Sequence, residues 1–230
     1  MPPSRAPVVL AFDTAGSACS VAVERGGAVL GHERLEIRHG HAEALLPMID
    51  RVMAAAGLSP TEIDTVAVTV GPGGFTGIRA GLAAAHGLAL AAGARLVGVS
   101  SFGAAAGPIA ENGMRLLVAL DSRRDDLYVQ LFDRRHAPVA EPAAIPPERL
   151  AARVGDGELA IAGDAVEAAA VALGNRPGLR LVPHSAPDAL GVLATLRRWP
   201  ERADPAAHPL YLRPPDVSFP KTRGGGGQRT

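Results

Sequence analysis

The rhythm of apolar positions lays out most elements of this chain. Val8-Val9-Leu10-Ala11-Phe12 is a short apolar run that stops at Asp13-Thr14-Ala15, Cys19 to Arg25 alternates with period two, and Ala28 to Leu35 follows Gly26-Gly27. Paired glycines supply the positive φ angles of a tight hairpin, so these runs predict a three-stranded antiparallel meander. From His41 to Ala56, Leu45, Leu46, Ile49, Val52, Met53 and Ala56 recur at three- and four-residue spacing, an amphipathic helix with Pro47 bending its first turns. Ser59-Pro60-Thr61-Glu62 reads as a capping box with proline at the first helical position. The β-branched run Thr65 to Val70 then leads into a glycine-rich loop, and Ala80 to Ala92 is almost all small or helix-forming. A strand at Arg95 to Val99 and a helix at Ser101 to Glu111 close the first half.

The second half starts the pattern again. Arg115 to Leu120 is a strand ending at Asp121-Ser122, and Leu127 to Phe132 alternates after a turn. An apolar residue, aspartate and a hydroxyl residue thus occur twice, as Phe12-Asp13-Thr14 and Leu120-Asp121-Ser122, with 121 − 13 = 108 residues between the aspartates. A weak strand near Ala137 to Glu141, a helix from Pro146 to Arg153, a strand at Leu159 to Ala162, a helix at Ala165 to Leu173, a strand at Arg180 to Val182 and a helix at Ala186 to Arg198 complete it. The predicted fold is α/β with a duplicated βββαβα unit, the plan of the actin, heat-shock chaperone and sugar-kinase (ASKHA) superfamily. Residues 1–105 form one subdomain, 106–215 a second, reduced one, and the glycine-rich end, 216–230, a flexible tail.

Composition narrows the function classes. An apolar fraction of 47% over 230 residues is ample for a core, and no uninterrupted apolar run is long enough for a membrane span. Neither does Met1 to Pro7 hold a signal-peptide core, so the expected location is the cytoplasm. One cysteine, Cys19, excludes an intrachain disulfide. The 23 basic residues balance 23 acidic ones, which argues against a broad cationic face that grips nucleic acid unaided. Arginine is abundant and Lys221 is the only lysine, so Arg123-Arg124 and Arg197-Arg198 read as compositional bias.

Gly71-Pro72-Gly73-Gly74-Phe75-Thr76-Gly77-Ile78-Arg79 is the most informative stretch. Four glycines in a strand-to-helix turn mean that something approaches that backbone closely. Thr76 is placed to cap the helix, and such a helix start can hold an anion. A Walker loop needs Lys and a hydroxyl after its last glycine; Ile78 and Arg79 stand there instead.

Together, Asp13-Thr14-Ala15, His39 to Ile49, Gly71 to Arg79, Asp121-Ser122-Arg123 with Tyr128, and Tyr211-Leu212-Arg213 resemble the bacterial TsaB family, also called YeaZ. The resemblance implies a non-catalytic partner of the paralogue TsaD, with the ATPase TsaE a further partner, in the complex that forms N6-threonylcarbamoyladenosine at position 37 of tRNAs reading codons that begin with A. Contact with tRNA would run through that complex. It implies a docking surface on the two helices around the glycine loop: Leu45, Ile49, Gly74, Phe75, Thr76, Arg79, Gly81, Ala84 and Leu88. The small residues Gly77, Gly81, Ala84 and Ala85 fall close to one face, which suits burial within the chain or close approach of a partner helix. A homodimer is expected when the partner is missing. Asp13, Thr14 and Asp121 mark a vestigial nucleotide cleft, in which the aspartates serve as turn caps. No resident cofactor is expected, and ATP or ADP has a place only at the partner interface. A catalytic paralogue would carry two histidines four apart on the first helix; His41 is followed at that spacing by Leu45, and His39 to His41 is too close, so no metal is expected. The alternative is a small ASKHA kinase or ATPase using Asp13 and Asp121. A peptidase reading finds no His-Glu-x-x-His and no Ser, His and Asp set.

Overall fold

A computed structural model describes residues 5–37, 39–183 and 185–213. Two five-stranded sheets form. The first holds β1 (Val8–Asp13), β2 (Ala18–Arg25), β3 (Ala28–Glu36), β4 (Thr65–Gly71) and β5 (Arg95–Ser100). Its spatial order is β3-β2-β1-β4-β5, with β1 to β3 antiparallel and β4 and β5 added in parallel. The second holds β6 (Arg115–Asp121), β7 (Leu127–Phe132), β8 (Ala143–Ile145), β9 (Leu159–Ala162) and β10 (Leu179–Leu181), ordered β10-β9-β6-β7-β8. Read from the other edge, that is the same topology, so the fold is the duplicated ASKHA plan.

Helices fall in matching places. α1 (His41–Ala55) and α2 (Phe75–Ala92) follow β3 and β4; α4 (Leu150–Val154) and α5 (Val166–Leu173) follow β8 and β9. α3 (Ser101–Ala106) and α6 (Ala189–Arg198) end the two halves. Strand alternation sorts the layers of the first sheet. Val8, Leu10, Phe12, Val21, Val66 and Val68 face α1 and α2, while Ala11, Ala22 and Ala67 present a shallow face to Ala189, Val192 and Leu193 of α6. The last helices are exchanged: α6 covers the first sheet, and Phe102, Ala105 and Ala106 of α3 pack with Leu116, Val118 and Leu120 of the second. Burying the methyl-rich faces is the main driving term.

Local signals act as predicted at several points. Gly26 and Gly27 have φ of 58° and 85°, and the capping box at Ser59 is complete around a 3₁₀ turn, Pro60–Glu62. Elsewhere tertiary context shifts the boundaries. α3 ends at Ala106, short of the predicted Glu111, because Pro108 follows and Gly107 packs against Thr195. Near residues 137–141 there is only an isolated bridge, Phe132 with Pro138, and β8 lies later. The helix predicted from Pro146 splits into a 3₁₀ turn and α4. α6 begins at Ala189 because the Asp188 carboxylate accepts from Gly191 N, 2.9 Å. After α6 the chain returns to the first half: Asp204 bridges Gly98, and Leu210 N donates to Val70 O, 2.8 Å. The predicted tail, 216–230, lies outside the described residues.

Candidate functional site

What approaches the glycine loop is the chain's own first turn. Asp13, Thr14 and Ala15 at the end of β1 slide under it, and a side chain on Gly73 would collide with the Ala15 carbonyl, on Gly77 with the Thr14 carbonyl and on Gly81 with the Thr14 hydroxyl. Gly74 N donates to Ala15 O, 2.8 Å, and Thr14 Oγ1 donates to Gly77 O, 2.8 Å. At Gly71, where φ is 105°, a Cβ would stand 2.7 Å from Leu210 O. Thr76 is not the cap: Gly74 is, with no side-chain cap, and Thr76 lies exposed inside the first turn of α2. The helix starts earlier than its sequence implies, where the turn beneath anchors Gly74 through its N–H and Gly77 through its carbonyl.

The two aspartates occupy equivalent turns. Ala15 N donates to Asp13 Oδ1, 3.0 Å, and Arg123 N donates to Asp121 Oδ1, 2.7 Å, the same two-residue Asx turn in each half. Their surroundings differ. Asp13 is sealed; Thr69 Oγ1 donates to its Oδ1, its Oδ2 has no partner, and burial pushes its pKa up to about 6. Asp121 is exposed, and its backbone N–H donates to Asp164, 2.8 Å. Gly163, the nearest thing to an adenosine loop in the second half, is pressed on the Ala119 carbonyl.

Between the two aspartate turns, little room remains. The gap lined by Gly16, Gly73, Ser101, Leu120, Asp121 and Asp164 measures about 20 Å³, room for one water. Arg123 spans it and donates to Gly16 O, 2.8 Å. Two larger hollows lie outside this gap. One of about 400 Å³ opens where α1 and α2 begin, between His39, Gly40, Glu43, Phe75, Thr76 and Arg123. The other, about 280 Å³, lies between the glycine loop, the β6–β7 turn and the C-terminal segment. His41 opens α1; its Nε2 sits 3.2 Å from Gly16 O, and burial holds its pKa below the usual histidine value. Among the described residues no three His, Cys, Asp or Glu side chains converge as metal ligands.

Burial redraws the docking surface predicted from sequence. Leu45 and Ile49 belong to the core under α1, and Gly81 faces Thr14, so none of the three can meet a partner. Ala84 and Leu88 pack partly against the same core. Gly74 and Phe75 are half-buried, and Thr76 and Arg79 are exposed; the Arg79 guanidinium lies 3.7 Å over the Phe75 ring. The solvent side of α1 carries Ala42, Leu46 and Asp50, and that of α2 carries Thr76, Ala83, Gly87 and Leu90. Leu46 is 49% and Leu90 86% exposed. Arg123, Tyr128, Tyr211 and Arg213, which carry the family resemblance but receive no site role from sequence, converge with Arg124 on the smaller hollow. Arginine-rich composition masks Arg123 and Arg124, and their place directly after the second Asp and hydroxyl is the signal that marks them.

Paired meander lobes, exchanged terminal helices and a glycine loop seated on an Asp-Thr-Ala turn define an ASKHA-fold protein whose gap between the paired aspartate turns is closed. Residues 34–179 match the family model described as TsaD: tRNA N6-adenosine threonylcarbamoyltransferase. Escherichia coli "tRNA threonylcarbamoyladenosine biosynthesis protein TsaB" is 41% identical over 128 residues, 55% of either chain, so the chain spans about half the length of that relative. A Mycobacterium tuberculosis protein described as uncharacterised is 35% identical across 91% of this chain and 93% of its own. YeaZ from Pseudomonas aeruginosa superposes with a TM-score of 0.75 at 29% identity, covering 90% of this chain and 100% of that one. The chain belongs to the TsaB (YeaZ) family.

Proposed function

We propose that this chain is a subunit of the machinery that forms N6-threonylcarbamoyladenosine on tRNA, that it performs no chemistry itself, and that it docks a TsaD-type transferase on the exposed faces of α1 and α2. The single observation that carries this reading is the closed gap at the paired aspartate turns: at about 20 Å³ and spanned by Arg123, it has no room for a nucleotide beside Asp13 and Asp121. The relatives' names supply the pathway. Exposed Leu46, Ala83, Gly87 and Leu90 supply a surface of small and apolar residues that a helix pair of like shape can cover. In the absence of TsaD the same surface pairs with a second copy. TsaE joins as ATPase, tRNA reaches this subunit through the complex, and any ATP or ADP is held in the hollow at the start of α1 and α2, completed by the partner. The chain works in the cytoplasm.

The test is reconstitution from purified TsaD, TsaE, tRNA and threonylcarbamoyl-adenylate, with and without this chain. Modified tRNA should accumulate only with it, and the chain alone should turn over no ATP. Leu46→Glu combined with Ala83→Glu should abolish co-purification with TsaD while the thermal midpoint stays within a few degrees, roughly what surface substitutions allow. Retained co-purification, or ATP hydrolysis lost in Asp13→Ala, would overturn the reading.

A further inference from the structure

We infer that the hollow between the glycine loop, the β6–β7 turn and the C-terminal segment binds one nucleotide unit of single-stranded RNA, its phosphate on arginines and its base against an aromatic wall. The source of that strand as tRNA rests on the function proposed above; the site itself rests on its lining. Arg123, Arg124 and Arg213 line it together with Phe75, Tyr128 and Tyr211, and no carboxylate does. At about 280 Å³ it is just below the roughly 300–1,000 Å³ of sites that enclose a whole small ligand, which suits one unit of a longer strand.

The aromatic wall is built. Tyr211 and Phe75 lie with ring centroids 5.1 Å apart and tilted by 41°, and Arg79 braces Phe75. Tyr211 stays 37% exposed, so its ring is available to a base. Tyr128 is buried at the floor, its phenol pKa raised by burial and drawn down by nearby Arg124. The cations are held rather than loose. Asp121 fixes the Arg123 backbone at φ 60°, and the Gly16 carbonyl anchors its guanidinium. Asp126 holds Arg213 and is itself buried, accepting from Ser122 Oγ, 2.5 Å. An acidic peptide would use the arginines and leave the stacked rings idle; a nucleotide unit uses both. The near-neutral chain has thus gathered cations locally, where a broad basic face is lacking.

Fluorescence anisotropy with a labelled RNA hairpin carrying a single-stranded loop, run on the full chain alone and again with TsaD, tests this. Tyr211→Ser should weaken binding about fivefold to a hundredfold, the loss of one stacked base, while Tyr211→Phe should bind as the unaltered protein does. Arg124→Gln should reduce the slope of log affinity against log salt by about 0.7, one phosphate contact on a single strand. The distant pair Arg134→Gln with Arg135→Gln should change little. The inference falls if the hairpin binds in neither setting, if Tyr211→Ser is silent, or if the distant pair weakens binding equally. It also falls if AMP displaces the hairpin as well as unlabelled hairpin does, since the site would then serve a free nucleotide. Co-purification of Tyr211→Ser with TsaD, followed in parallel, separates failure here from failure of the subunit role.

Discussion

A methyl group added at Gly77 or Gly81 would meet Thr14, so these positions are specified by the chain's own turn rather than by any partner. Gly77→Val should cost about 1–3 kcal/mol, the usual range for overpacking, read from the urea midpoint. Two buried titratable groups respond to acid in opposite senses. For Asp13, the folded pKa of about 6 stands above the ordinary 3.8, so the folded state binds more protons between those values and stability falls as pH rises through that window. Asp13→Asn should flatten this slope, on the order of 3 kcal/mol in total. His136 is buried against Trp199, and burial first, Arg198 next, depress its pKa below 6.5. There the unfolded chain binds the extra proton, so stability falls as pH drops below about 6.5; His136→Phe should remove that part, as denaturation followed across pH 5–8 would report.

On α1, one residue of rotation decides whether a leucine is core or surface. Leu45 is 1% exposed and its neighbour Leu46 49%. Leu45→Ala should therefore cost about 2–5 kcal/mol, and Leu46→Ala should stay within about 0.5 kcal/mol, both measured by denaturant titration. The periodicity gave helices almost where they lie, and it marked both leucines as apolar without ranking them. Ranking needs the sheet: β2 lies under α1, and its Val21 and Val23 share one core cluster with Leu45, Met48 and Ile49. The same holds for α2, whose small residues serve two purposes on two faces, Gly77 and Gly81 toward Thr14 and Ala83 and Gly87 toward solvent.

Across the whole molecule, exchange of α3 and α6 makes each half complete the other. A side chain on Gly191 would strike the Ala104 carbonyl, and Thr195 Oγ1 donates to Gly103 O, 2.6 Å, so the helices touch at backbone distance. Gly191→Ala should destabilise both lobes together, shifting a single thermal transition downward rather than splitting it in two; separate melting of the lobes would contradict this coupling. Residues 1–105 expressed alone should not reach a cooperative fold, because the alanine face of the first sheet would lose α6.

Local chemistry was written in the chain: alternation set the strands, Gly26-Gly27 the hairpin, the Ser59 box its turn, and the repeated aspartate before a hydroxyl betrayed the duplication. Those features depend on neighbours a few residues apart, which a sequence displays directly. Tertiary structure alone decided that the glycine loop sits on Thr14, that the gap between the aspartate turns shuts around Arg123, and that Phe75, Arg123 and Tyr211 share one hollow. Each of these joins segments dozens of residues apart, and such contacts are fixed by how two sheets and their exchanged helices pack, which no local pattern encodes.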